Sequence, residues 1–262
     1  MAEPTAFPEL NALLDDFVAS LHEILGDNLH GAYLQGSFAV GDADEHSDVD
    51  FIVVTNDEVT DEQRAGLEAM HGRLFALETH WAQHLEGSYV PKTSLRRLDA
   101  MRRPFVYLDN GSTELTLDNH CNTHVVRWSL REHGVTLEGP DPQRLVDPVP
   151  PDGMRDELVA TVGEYAAWAP APTKAGGMSQ WKQTFLVLTF CRTLHSLASG
   201  RVASKRASGE WAIASLDPQW RDLIQRALDD RNDPWGRVDR PAEPYLVERT
   251  LAFAEYAVRE AA

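Results

Sequence analysis

Residues Leu34–Val54 read LQGSFAVGDADEHSDVDFIVV. The apolar stretch His30–Gln35 predicts a short strand that stops at Gly36, and Phe38 can open a short helix behind it. Gly36 and Ser37 therefore stand where glycine permits a close backbone approach and where free N–H groups with a positive dipole end suit a phosphate. Gly41 closes that turn, and ten residues beyond Ser37 comes Ser47, directly before Asp48-Val49-Asp50. The run Asp48–Thr55, β-branched and apolar, predicts a buried strand. Side chains at i and i+2 of a strand share a face, so Asp48 and Asp50 stand side by side while Val49 enters the core. Like charges that close repel unless a cation neutralises them. Oxygen ligation by few protein groups suits Mg2+, which completes its shell with water and substrate phosphates. A Gly-Ser turn alone is most often only a turn, and a D-x-D alone most often a solvated strand end. The whole stretch predicts more: a holder for a magnesium-bound triphosphate, placed for an in-line displacement.

Outward from this stretch, Leu10, Leu13, Leu14, Phe17, Val18, Leu21, Ile24 and Leu25 recur with helical period between Pro8 and Gly26. Thr60 with Gln63 forms a capping-box pattern that opens a second helix. Strands are expected at Leu85–Val90, Phe105–Leu108 and Glu114–Leu117, and a helix at Asn122–His133. Residues 139–151 hold five prolines, which neither a helix nor a central strand tolerates. The domain boundary is placed there: 1–150 is an α/β domain with a mixed sheet, and 151–262 an all-α helical bundle. The helices expected in the second part are Met154–Trp168, Ser179–Ser199, Lys205–Leu216, Gln219–Arg231 and Ala242 to the end.

The 262 residues carry 24 basic and 41 acidic side chains, a net charge of −17. Such a surface disfavours nucleic-acid phosphates, and it either attracts a small polycation or only keeps the protein soluble. Cys121 and Cys191 are the only cysteines and form no C-x-x-C pair, so a reducing cytoplasm is expected. The start MAEPTAFPEL lacks a basic, then apolar, signal pattern, and no apolar run is long enough for a bilayer. Neither a membrane nor a nucleic acid is expected as a partner, and the protein is expected to be a monomer.

The pattern GS-x-x-x-G…SDVD resembles the signature of the DNA polymerase β-type nucleotidyltransferase superfamily. The wider likeness is to the aminoglycoside adenylyltransferases that modify streptomycin and spectinomycin. It runs through Arg131-Glu132-His133-Gly134, Leu137-Glu138-Gly139-Pro140 and Asp147-Pro148-Val149-Pro150. It continues in Leu188-Thr189-Phe190-Cys191-Arg192, Ser199-Gly200-Arg201-Val202, Lys205 and Trp211-Ala212.

The resemblance implies an antibiotic-resistance enzyme that moves AMP from ATP to a drug hydroxyl, using Mg2+, in a cleft between two domains. By it, Asp48 and Asp50 are metal ligands, while Gly36, Ser37, Ser47 and Lys205 contact the triphosphate. Glu86 matches the general base, with Glu78 and Glu114 as alternatives if the strand register differs. Trp168 matches a tryptophan near the drug, and Trp181 is a second candidate lining residue, although an aromatic in an amphipathic helix is more often core. The family's streptomycin-modifying members follow that tryptophan with an aspartate, yet no acidic residue occurs here between Glu164 and Glu210. Lys174 and Lys182 stand in that stretch instead, which favours spectinomycin over streptomycin. A metabolite or protein hydroxyl as acceptor, or a catalytically silent nucleotide sensor, are the alternatives. His80 and His84 have a zinc-compatible i, i+4 spacing but no third ligand nearby, so packing roles are expected.

Overall fold

The computed structural model describes residues 3–174, 176–231 and 235–262, with Trp235 as backbone only. The chain divides into two compact units: residues through Ala43 with Ser47–Val149, and Asp44–His46 with Pro150–Ala262.

The first unit is built on six strands: β1 (Leu29–Leu34), β2 (Val49–Thr55), β3 (Leu85–Pro91), β4 (Phe105–Leu108), β5 (Leu115–Asp118) and β6 (Val135–Glu138). Their order is β5-β4-β3-β2-β1-β6. β2 and β3 run parallel, and every other pairing is antiparallel, so the sheet is mixed. The helices of this unit are α1 (Pro8–Leu25), α2 (Gly36–Ala39), α3 (Asp61–Phe75), α4 (His80–Gln83), α5 (Lys92–Leu95) and α6 (His124–His133).

Past Asp50 and Glu86 the central strands are largely apolar because both faces are covered. Val49, Phe51, Val53, Leu85 and Tyr89 join the stripe of α1 (Leu10, Leu14, Phe17, Leu21) and Leu67, Met70 and Leu74 of α3. Leu10, Phe17 and Leu21 keep no exposed surface, and each such burial stabilises the fold by about 1.5–3 kcal/mol. Ile52, Val54 and Val90 point the other way, into a second cluster with Leu95, Tyr107 and Leu130. The capping box at α3 is formed: Gln63 N–H donates to Thr60 Oγ1, and Thr60 N–H to Gln63 Oε1, both at 3.2 Å.

β6 lies where the sequence suggested only connecting chain. It pairs antiparallel with β1, and its register shifts between Ala32 and Tyr33. Gly139 ends it at φ +95°, where a Cβ would fall 2.6 Å from the His30 carbonyl oxygen, so only glycine fits.

The second unit holds α7 (Pro151–Trp168), α8 (Gln180–Ser199), α9 (Lys205–Ser215), α10 (Arg221–Asp229) and α11 (Pro244–Ala261). α8 packs against each of the other four. It therefore buries residues all round, among them Leu186, Val187, Phe190, Cys191 and Leu194. Ser179 caps its start through the Lys182 N–H, and Gly200 ends it in the left-handed conformation. The single helix expected at Gln219–Arg231 is instead a 3-10 turn, Pro218–Trp220, followed by α10. No described helix is long and apolar enough to cross a membrane.

Candidate active site

Asp50 and Glu86 are direct partners in the parallel β2–β3 register. Asp48 lies two residues before Asp50, so all three acids share one sheet face at the start of these strands. Each places a carboxylate oxygen within 4.8 Å of the others, close enough to share one cation. Further along the same face the side chains become Ile52, Val54 and Val90, which bury the sheet and leave the acids at its polar end.

The Gly-Ser turn is fixed against this cluster by sterics. The Gln35 N–H donates to the Asp50 carbonyl at 2.9 Å, and Gly36 follows at φ +59°. A Cβ on Gly36 would sit 1.9 Å from Asp50 Oδ2, so the turn approaches the carboxylate as only glycine can. Ser37 is the second residue of the single-turn helix α2, and its buried hydroxyl oxygen has no hydrogen-bond partner among the described residues. A buried polar atom left in that condition is expensive, and a polar ligand would relieve it.

Ser47 is buried, and its carbonyl accepts from His80 Nε2 at 3.0 Å. The Val49 N–H donates to the His84 carbonyl at 2.9 Å, and His84 Nδ1 bonds Asn110 Oδ1 at 2.9 Å. The two imidazoles, with ring centroids 4.7 Å apart, brace the chain where it enters β2.

Glu86 is largely shielded from solvent: its side chain is only 15% exposed. Burial raises its pKa above the usual carboxylate value; the Tyr107 hydrogen bond and His120 oppose that rise, while Asp48 and Asp109 add to it. The Tyr107 O–H donates to Glu86 Oε1 at 2.6 Å, and His120 Nε2 lies 3.4 Å from the same oxygen. Burial and the Glu86 charge in turn hold the Tyr107 phenol protonated. Burial likewise pushes the nearby Cys121 thiol up to about 12, which makes it unreactive. Glu78 and Glu114 are both exposed and stand outside the acid cluster.

Lys205, Trp168 and Trp181 belong to the second unit, so the acids do not gather them within the first. They surround Phe185 on α8: Trp181 stacks on it at 5.1 Å, Trp168 meets it edge-on at 6.1 Å, and Lys205 Nζ lies 5.1 Å over its ring. Trp168 remains 37% exposed at the end of α7.

Lys182 corrects one inference from sequence. Its side chain has no exposed surface, and its ammonium donates to the carbonyls of Trp168 at 2.8 Å and Ala171 at 2.6 Å. It also sits 3.9 Å from the Trp168 ring centroid. Burial lowers its pKa. Lys182 is thus a clamp on the chain after α7, and it presents no charge to an incoming cation; Lys174 stays exposed. Tyr107 and His120 carried no sequence signal, because they reach Glu86 only through the β3–β4 pairing and the turn after β5.

A mixed sheet with this acid cluster, followed by a helical unit, is the arrangement expected of a nucleotidyltransferase. Residues 16–106 match the family model of the nucleotidyltransferase domain, and residues 144–257 that of the aminoglycoside adenylyltransferase C-terminal domain. The chain is 27% identical over 247 residues to an aminoglycoside (3'') (9) adenylyltransferase of Shigella flexneri, covering 89% of this chain and 88% of that one. It is 20% identical over 260 residues to a spectinomycin 9-adenylyltransferase of Campylobacter jejuni, covering 93% and 92%. Its fold is shared with the spectinomycin adenyltransferase AAD(9) of Enterococcus faecialis, solved with ATP and spectinomycin. That likeness has a TM-score of 0.71 at 16% identity, over 95% of this chain and 98% of the other. The chain belongs to the aminoglycoside adenylyltransferase family and is an enzyme.

Proposed function

We propose that this enzyme transfers AMP from ATP to a hydroxyl of an aminoglycoside or aminocyclitol antibiotic, with spectinomycin preferred to streptomycin, and so confers resistance. The observation that carries the reading is the cluster of Asp48, Asp50 and Glu86 on two paired strands, with an unpartnered Ser37 hydroxyl on the adjoining turn. The same names attached to relatives across most of this chain's length support the acceptor class.

The residues fit Mg2+: oxygen donors only, few in number, and close enough together to be costly without a cation. Asp48 and Asp50 would hold it, and when bound it would supply charge neutralisation on the triphosphate. Gly36, Ser37 and Ser47 would receive the phosphates through backbone N–H groups and hydroxyls, and Lys205 would offset the charge of the leaving pyrophosphate. Glu86 accepts the proton of the acceptor hydroxyl as its oxygen bonds to the α-phosphorus and the bond from phosphorus to pyrophosphate breaks. A carboxylate whose pKa is raised by burial is a better base near neutrality than an exposed one. The preference for spectinomycin rests on the absence of any carboxylate from residue 165 to 209, which removes a partner for the strongly basic guanidinium groups of streptomycin. The same absence favours, as a second reading, a less cationic hydroxyl acceptor.

Purified enzyme with Mg-ATP is expected to release pyrophosphate when spectinomycin is added, and less with streptomycin. Asp50→Asn and Glu86→Gln are expected to lower the rate at least about 100-fold. Pyrophosphate release with neither drug would sink the acceptor assignment, and full activity without a divalent cation would sink the metal assignment.

A further inference from the structure

The β3–β4 register places a second residue against the candidate base. Ser88 pairs with Tyr107, and Glu86, two residues earlier, projects from the same face of β3. A residue two positions off the direct partner is within reach of a long or aromatic side chain. The contact is made: the phenol donates to Glu86 Oε1 at 2.6 Å, against 3.3 Å to Asp109 Oδ1, so its one proton goes to the glutamate. His120 Nε2 approaches that same oxygen at 3.4 Å. Both neighbours converge on Oε1, which leaves Oε2 as the oxygen to meet a substrate.

We propose that Tyr107 is a positioning residue for this reaction, holding Glu86 by Oε1 so that Oε2 faces the acceptor hydroxyl. This rests on Glu86 being the base. The anchor is rigid where the base is not. The Tyr107 ring is buried on a strand and packs in the cluster of Ile52, Val54 and Leu95, whereas a glutamate side chain turns about three bonds. A base displaced by about 1 Å can cost about 100-fold in rate, so a fixed partner at this position matters to chemistry and little to binding.

The test is a double-mutant cycle in pyrophosphate release with Mg-ATP and the drug, using Tyr107→Phe, Glu86→Gln and both together. Tyr107→Phe keeps the packed ring and removes only the hydroxyl. The expected result is a kcat lower by about 10- to 100-fold, KM values for ATP and drug within about twofold, and no further loss when Tyr107→Phe is added to Glu86→Gln. A wild-type kcat in Tyr107→Phe, or an equal loss in both backgrounds, would overturn the proposal. Full activity in Glu86→Gln would instead overturn the base assignment beneath it. An acceptor-independent measurement keeps the two apart: in a crystal structure of Tyr107→Phe, the Glu86 carboxylate is expected to leave its wild-type position, and an unmoved carboxylate counts against positioning.

Discussion

Glu86, as the proposed base, would be useful to chemistry and costly to the fold. Burial raises its pKa, and Asp48 and Asp109 add to the effect. A group whose folded-state pKa lies above its unfolded value binds protons more tightly in the folded protein. Its contribution is therefore fully present at low pH and is lost as pH rises through the folded-state pKa. Ionising the buried Glu86 therefore works against stability. Glu86→Gln is thus expected to raise the melting temperature at pH 7 in metal-free buffer, with the gain shrinking as pH falls and Glu86 itself becomes protonated. Thermal melts from pH 4 to 8 check this, and an unchanged difference across that range would contradict it. The same shift sets the activity profile: kcat/KM should fall on the acid side with an inflection above the ordinary carboxylate range, because the protonated acid cannot accept the hydroxyl proton. Gly36 answers to sterics alone. Gly36→Ala must fit a Cβ within 1.9 Å of Asp50 Oδ2 at a φ that side chains disfavour by about 1–2 kcal/mol. The turn or the carboxylate has to move, and kcat/KM should drop at least about 100-fold while circular dichroism stays that of a folded protein.

Among the elements, α8 carries a test of what its buried lysine does. If Lys182 is a clamp, Lys182→Met leaves the carbonyls of Trp168 and Ala171 without their donor and removes a cation from the Trp168 face. Losing such partners costs about 2–4 kcal/mol, or about 5–15 °C in melting temperature for a chain of this size. A change confined to KM for a cationic drug, with an unaltered melt, would return Lys182 to the acceptor-facing role that its place in the sequence suggested. Lys182 also illustrates what can be read from a chain and what cannot. The strands at Leu85 and Phe105, the helix at Glu9 and the capping box at Thr60 were legible because period and caps are local signals. The grouping of Asp48, Asp50 and Glu86 needed only the side-chain alternation of two strands and a likeness in sequence. β6 was not legible: four residues between Gly134 and Gly139 are too few to display alternation, and only pairing with β1 defines them. Tyr107 escaped for a similar reason, since its partner is 21 residues away and only the β3–β4 register joins them. The burial of Lys182 depends on a chain turn after α7 that no periodicity announces.

At the scale of the whole molecule, a net charge of −17 has opposite consequences for the two substrates. The field of the protein attracts a drug cation and repels Mg-ATP, which keeps a net negative charge, and both effects act through solvent before contact. Salt screens them: the Debye length falls from about 30 Å at 0.01 M to about 8 Å at 0.15 M and 3 Å at 1 M. Raising ionic strength from about 0.01 to 0.3 M should therefore lower kcat/KM for a cationic acceptor and raise, or leave level, kcat/KM for Mg-ATP. The sign of the acceptor's dependence is the informative quantity, because it reports the acceptor's charge whichever of its hydroxyls is modified. A spectinomycin kcat/KM that falls several-fold with salt supports a dication steered by the acidic surface. If the best acceptor found shows no salt dependence, that acceptor is neutral. The stretch from 165 to 209, which lacks any acid, would then be the acceptor-selecting feature, and the excess of acids elsewhere would serve solubility alone.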